Sequence, residues 1–122
     1  MLRSYYGMRF INEELRYSAN YIDLHFRENG LEMYNINPDA LFCWKSIYDA
    51  LKKRSLELSK HGKMLSMDDI YEPETKEDLQ RHMNTFDSCL NAYLYDIVVH
   101  DHDVLDHWKT VKNALEFWLK KD

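Results

Sequence analysis

Apolar residues recur at alternating intervals of three and four in three consecutive stretches of this chain. The three sets are Leu41, Trp44, Tyr48, Leu51 and Leu58, with the polar Ser55 among them; Leu79, Met83, Phe86, Leu90, Tyr93 and Ile97; and Val104, Trp108, Val111, Leu115 and Trp118. Since an α-helix turns once in about 3.6 residues, this spacing places each set along one helical face. An earlier stretch places Ile11, Leu15, Ile22 and Phe26 on one face in the same way. The pattern predicts an all-α fold.

Residues that begin and end helices divide these stretches. Asn37 followed by Pro38 is a favourable helix start, and Thr75 with an acidic residue three positions later forms a capping box. Gly30 and Gly62 follow helical stretches, where glycine commonly ends a helix in the left-handed conformation. The expected helices cover residues 10–29, 38–61, 76–100 and 103–121, with a possible short turn at 67–72. Short connections favour antiparallel neighbours, so we expect one domain over residues 1–122, an antiparallel four-helix bundle.

Composition excludes several classes of protein. An apolar fraction of 45% with 14% aromatic residues argues against disorder, and three Gly and two Pro are too few for a turn-rich β fold. The 122 residues carry 21 acidic and 16 basic side chains, a net charge of −5 that disfavours direct binding to nucleic acid. The longest apolar run has five residues, Ala40 to Trp44, so no membrane partner is expected.

The two cysteines and the N-terminal residues indicate the cellular compartment in which the protein is expected. Cys43 and Cys89 match no C-x-x-C pattern and lie among apolar helical residues, which favours buried, reduced thiols. A disulfide between them stays open if their helices face each other. The first seven residues lack the apolar core of a signal peptide. We therefore expect a cytoplasmic protein.

The segment from residue 82 to residue 108 holds five Asp and four His but no Lys or Arg. If one helix ran through it unbroken, one face would carry a ligand set typical of zinc, iron or manganese. That set is Asp96, His100, Asp103 and His107. The favoured interpretation is instead a corner between two helices, with Asp101 or Asp103 capping the last helix and Asp106 in its first turn. No cofactor is expected, although a bound divalent metal stays open.

The stretch 92–101 leads through apolar residues to His100 and Asp101, and it resembles the apolar-His-Asp motif of HD-domain phosphohydrolases. That resemblance implies an earlier metal-binding histidine and a distant later aspartate. His61 or His82 would have to serve as the earlier ligand. The candidates for the later ligand are Asp103, Asp106 and Asp122. Members of that family are usually longer than this chain.

Arg54, followed by the polar Ser55, and His61 match an Arg-x(4–6)-His motif, which is similar to that of HEPN-type RNases, themselves small helical bundles. His100 has a similar apolar context, but Tyr95 stands where that motif has arginine. The two resemblances imply an alternative function, a nucleotide or RNA hydrolase that uses the His/Asp cluster of residues 96–107. Its candidate catalytic residues are His100, Asp101, Arg54 and His61. The main interpretation assigns no catalytic residue.

Nine Tyr, five Phe and three Trp are more aromatic residues than a small helical core readily accommodates. Those outside the apolar stripes are Tyr5, Tyr6, Phe10, Tyr21, Tyr34, Tyr95 and Phe117. Tyrosine anchors protein interfaces, and acidic residues beside it suit a basic partner surface. We therefore expect a protein-binding module that docks on a basic partner surface. An inhibitor is one form of such a module, because the size and charge of this chain resemble those of immunity proteins and phage anti-defence inhibitors.

The expected partner-binding residues cluster in the His/Asp segment. They are Tyr95, Asp96, His100, Asp101, His102, Asp103 and Asp106. A further alternative uses the additional aromatic residues differently, as the seam of a homodimer in a self-associating structural bundle.

Overall fold

The computed structural model describes the backbone of residues 2–59 and 75–121 and the side chains of residues 13–57 and 75–121. Within these ranges the chain forms six helices and no strand, which confirms the all-helical prediction. The helices are α1 (Leu2–Glu28), α2 (Gly30–Ile36), α3 (Pro38–Ser59), α4 (Lys76–Ala92), α5 (Leu94–Val98) and α6 (Val104–Lys120). The expected turn at 67–72 and His61 lie outside the described residues.

One additional helix and one break turn the expected four helices into six. Gly30 was expected to end the first helix, but α1 ends at Glu28 and α2 begins at Gly30 itself. Gly30 has no positive φ angle, so it does not form the left-handed stop and helical geometry resumes. The expected helix 76–100 is interrupted at Tyr93, whose φ of −107° and ψ of 13° separate α4 from α5. The first helix also begins earlier than expected, at Leu2.

Both predicted helix starts are formed by side-chain hydrogen bonds. The Asn37 side-chain oxygen accepts from the Asp39 amide at 3.0 Å, at the start of α3. Thr75 Oγ1 accepts from the Asp78 amide at 3.1 Å, at the start of α4. Such bonds satisfy amide groups that have no acceptor within the helix, which explains why polar residues mark these two starts.

The helices pack mainly as two pairs, α1 against α4 and α3 against α6. Four aromatic side chains, one from each long helix, join the pairs through the core. Phe26 stacks on Trp44, with 5.9 Å between ring centroids, Trp44 meets Phe86 at 5.6 Å, and Phe86 meets Trp108 at 4.6 Å. The short helix α5 packs against α3, and α2 packs against α3 and α6. This places α5 and the start of α6 at one corner of the fold.

Nearly all described members of the predicted apolar stripes are buried. The α4 and α5 set is buried throughout, and only Leu41 and Trp118 of the other described members are partly exposed. Tyr21, which lies outside the predicted stripes, is also fully buried and stacks on His82 with 4.1 Å between ring centroids. No helix in the described part of the chain is both long and apolar enough to cross a membrane.

Candidate functional site

The His/Asp segment forms the corner between α5 and α6. Helix α5 ends at Val98 and α6 begins at Val104, so residues 99–103 connect two separate helices. The amides of His100 and Asp101 donate to the Ile97 carbonyl oxygen and close the end of α5. The unbroken helix that would have aligned the four candidate metal ligands is therefore not formed.

Asp101 organises the start of α6 from a buried position. The residue is 6% exposed, and its Oδ1 accepts from the Asp103 amide at 3.1 Å. Its Oδ2 lies 2.8 Å from Nδ1 of His107, one turn into α6. Asp103 occupies the N-cap position but its own side chain makes no capping bond, and Asp106 lies in the first turn as expected. The side chain of Asp101 thus holds the turn that leads into α6, while the N-cap position itself makes no side-chain capping bond.

A second polar cluster joins α5 to α3. Arg54 forms an ion pair with Asp96 at 3.0 Å and with Glu57 at 3.5 Å. His100 Nε2 lies 3.0 Å from the same Glu57 oxygen. The hydrogen bond from His100, with the positive charges of His100 and Arg54, lowers the pKa of Glu57 below its usual value. The cluster fixes the end of α5 to α3, and sequence reasoning missed Glu57 because no local pattern relates α3 to α5.

The candidate catalytic residues fall into different surroundings. Arg54 and His100 share the cluster around Glu57, whereas Asp101 is bonded to His107. The Arg54 guanidinium is held by two carboxylates, so a phosphate group would have to displace one of them to bind there. His82 of α4 is buried against Tyr21 of α1.

Neither cysteine has the environment of a nucleophile. Cys43 and Cys89 are both free and buried. Burial raises the pKa of the Cys89 thiol to about 11, with Glu14 adding to the effect, and burial also raises the pKa of Cys43. In the described part of the chain, no three His, Cys, Asp or Glu side chains come together as metal ligands.

A groove of about 360 Å³ runs between α5 and the start of α6. Its lining combines apolar, acidic and aromatic side chains: Leu94, Tyr95, Val98, His102, Asp103, Val104, Leu105 and Asp106. Tyr95 is 87% exposed and Leu105 is 48% exposed. Neither Asp103 nor Asp106 forms an ion pair with any other residue that the structure describes. The groove therefore combines exposed apolar area with unneutralised negative charge.

Four of the seven expected partner-binding residues line this groove, namely Tyr95, His102, Asp103 and Asp106. The other three make the internal contacts already described: Asp96 and His100 toward α3, and Asp101 toward α6. Sequence reasoning did not select Leu94, Val98 or Leu105, which lie beside the buried stripes. Only the angle between α5 and α6 turns these residues into groove walls.

Comparison with known proteins gives no relative. No protein-family model, no curated protein and no solved structure matches this chain.

Proposed function

We propose that this protein is a binding module that docks on a basic surface of another protein through the corner between α5 and α6. We call the docking region the corner surface and define it by five side chains: Tyr95, His102, Asp103, Leu105 and Asp106. The observation that carries the proposal is the groove they surround, where exposed apolar side chains lie beside two aspartates without ion-pair partners among the described residues.

The physical argument has two parts. An exposed tyrosine next to leucine supplies apolar area that gains free energy when it leaves water, and tyrosine loses little side-chain entropy on binding. Carboxylates at the rim attract a positively charged partner and disfavour a negatively charged one. The net charge of −5 adds a long-range attraction of the same sign.

The corner surface is also held in one arrangement. The cluster of Arg54, Glu57 and His100 fixes the end of α5 to α3, and Asp101 fixes the start of α6. A surface that is ordered before binding loses less entropy on association. If the covered site on the partner is its nucleic-acid or substrate site, docking inhibits that partner, as expected for an inhibitor.

Charge reversal tests this proposal. The double variant Asp103→Lys/Asp106→Lys is compared with Asp39→Lys/Glu77→Lys, a matched control that reverses two exposed acids in the first turns of α3 and α4. Each tagged chain captures proteins from the native host, and far-UV circular dichroism checks that the helices are kept. We expect the corner variant to lose a protein that the wild type and the control both retain. Equal capture by all three chains would refute the corner surface.

A further inference from the structure

We propose that the groove between α5 and α6 takes one apolar side chain of the partner, with a neighbouring arginine that binds Asp103 and Asp106. The ligand class is a short basic peptide segment with a single apolar anchor. This inference rests on the proposed function and specifies the partner's chemistry at the corner surface.

The length of the groove limits what can occupy it. Helix α5 has five residues, which at 1.5 Å per residue span about 7.5 Å. The α6 wall is formed only by residues at its first turn, Val104 to Asp106. A volume of 360 Å³ is at the small end of the roughly 300–1,000 Å³ typical of ligand pockets. The short walls therefore suit an anchoring side chain and not several turns of a partner helix.

The charges beside the groove specify the residue next to the anchor. Asp103 is the N-cap residue of α6 and Asp106 lies in its first turn, so both carboxylates belong to the same end of the helix. A guanidinium is planar and carries several donors, so it can contact both carboxylates, whereas a lysine ammonium is a compact charge.

The cationic side chains that the structure describes near the corner do not neutralise Asp103 or Asp106. Arg54 is already bound by two carboxylates on the α3 side of the corner. Lys109 is exposed one turn further along α6 and forms no ion pair with either aspartate. Residues 82–108 contain no Lys or Arg that could neutralise the two aspartates. Charge complementarity therefore favours a cationic occupant.

Defined peptides test the proposal. The probe is a fluorescein-labelled five-residue peptide with leucine at the centre and two arginines on each side, titrated with the full chain by fluorescence anisotropy. Two comparison peptides carry glycine at the centre or glutamate in place of arginine. We expect the glycine peptide to bind at least tenfold more weakly and the glutamate peptide not to bind. Equal affinity for the leucine and glycine peptides would overturn the anchor.

Variants of the chain locate the binding. Leu105→Ala and Asp103→Asn/Asp106→Asn are each expected to weaken the leucine peptide about tenfold, which corresponds to about 1.4 kcal/mol. Leu31→Ala, at a position 77% exposed on α2, and Asp39→Asn/Glu77→Asn are the matched controls and should bind as the wild type does. Unchanged affinity in the two corner variants would place the peptide elsewhere and overturn the proposal.

Two outcomes separate this inference from the proposed function. If host capture depends on Asp103 and Asp106 but the glycine peptide binds as well as the leucine peptide, the anchor is wrong and the docking surface stands. If capture does not depend on them, both fail. Sedimentation at several concentrations tests whether a second copy of this chain fills the groove instead. A dimer that dissociates in the Leu105→Ala variant would show that it does, and would overturn the peptide proposal.

Discussion

Replacing Asp101 with alanine should destabilise the fold far more than the same change at Asp103, although Asp103 holds the N-cap position of α6. Asp101 is 6% exposed, and its carboxylate contacts both the Asp103 amide at 3.1 Å and His107 Nδ1 at 2.8 Å. Losing the turn hydrogen bond costs about 1 kcal/mol, and losing a hydrogen bond to a charged group costs about 1.5–3 kcal/mol. Removing a buried carboxylate also removes its desolvation cost, so we expect a net loss of about 2 kcal/mol.

The contacts of Asp101 and Asp103 define two control variants for Asp101→Ala. Asp103 is exposed and its side chain makes no capping bond, so Asp103→Ala should lose only its interaction with the helix dipole, about 0.5 kcal/mol. Asp101→Asn keeps an acceptor for the Asp103 amide and should cost about half as much as Asp101→Ala.

Urea unfolding followed by circular dichroism at 222 nm measures all three free energies of unfolding by linear extrapolation. For a chain of this length, 2 kcal/mol corresponds to a thermal midpoint lowered by roughly 6–10 °C. A loss for Asp103→Ala equal to or greater than that for Asp101→Ala would refute the assignment of Asp101 as the residue that organises the corner.

Three further predictions follow from burial and charge. Phe86→Ala removes a fully buried ring at the centre of the aromatic core and should cost about 3–5 kcal/mol in urea unfolding, whereas Leu31→Ala should change stability by less than about 0.5 kcal/mol. Because the hydrogen bond from His100 lowers the pKa of Glu57, its contribution to stability is present above its ordinary value of 4.5 and is lost as the pH falls through the lowered value. Glu57→Gln should therefore shift the urea midpoint downward at pH 7 and shift it progressively less as the pH falls below 4.5, and an equal shift at every pH would contradict the ion pair. Both cysteine thiols have raised pKa values and should react with a disulfide reagent at pH 8 only after urea unfolds the chain, so rapid labelling of the folded chain would contradict their burial.

Local features of the sequence were sufficient to predict the helices and most of the core. The spacing of apolar residues identified the buried faces because helical geometry relates residues three and four apart without reference to the rest of the chain. Asn37 and Thr75 marked two helix starts because their side chains bond to amides only two or three residues away. The same local reasoning indicated a helix corner in the His/Asp segment and named four of the groove residues.

The errors in the fold share one cause. The break at Tyr93 occurs where no glycine or proline marks a stop, and α2 begins at Gly30, a residue whose type predicts a helix end. The burial of Tyr21, which lies off the predicted stripe, has a related cause, because α4 packs against α1 and covers it. In each case packing between helices, which local propensity does not contain, decided the outcome.

The sequence by itself determined that the chain is helical, where its apolar faces lie, and that one segment concentrates aspartate and histidine without lysine or arginine. Only the tertiary structure decided how each of those polar residues is used. Arg54 of α3 forms an ion pair with Asp96, and Glu57 of α3 contacts His100. Asp101 is buried in the turn before α6, while Asp103 and Asp106 are left exposed beside an apolar groove. The physical reason is that a carboxylate's role depends on the charges and amides that lie close to it in space, and residues more than 40 positions apart meet only when the helices pack.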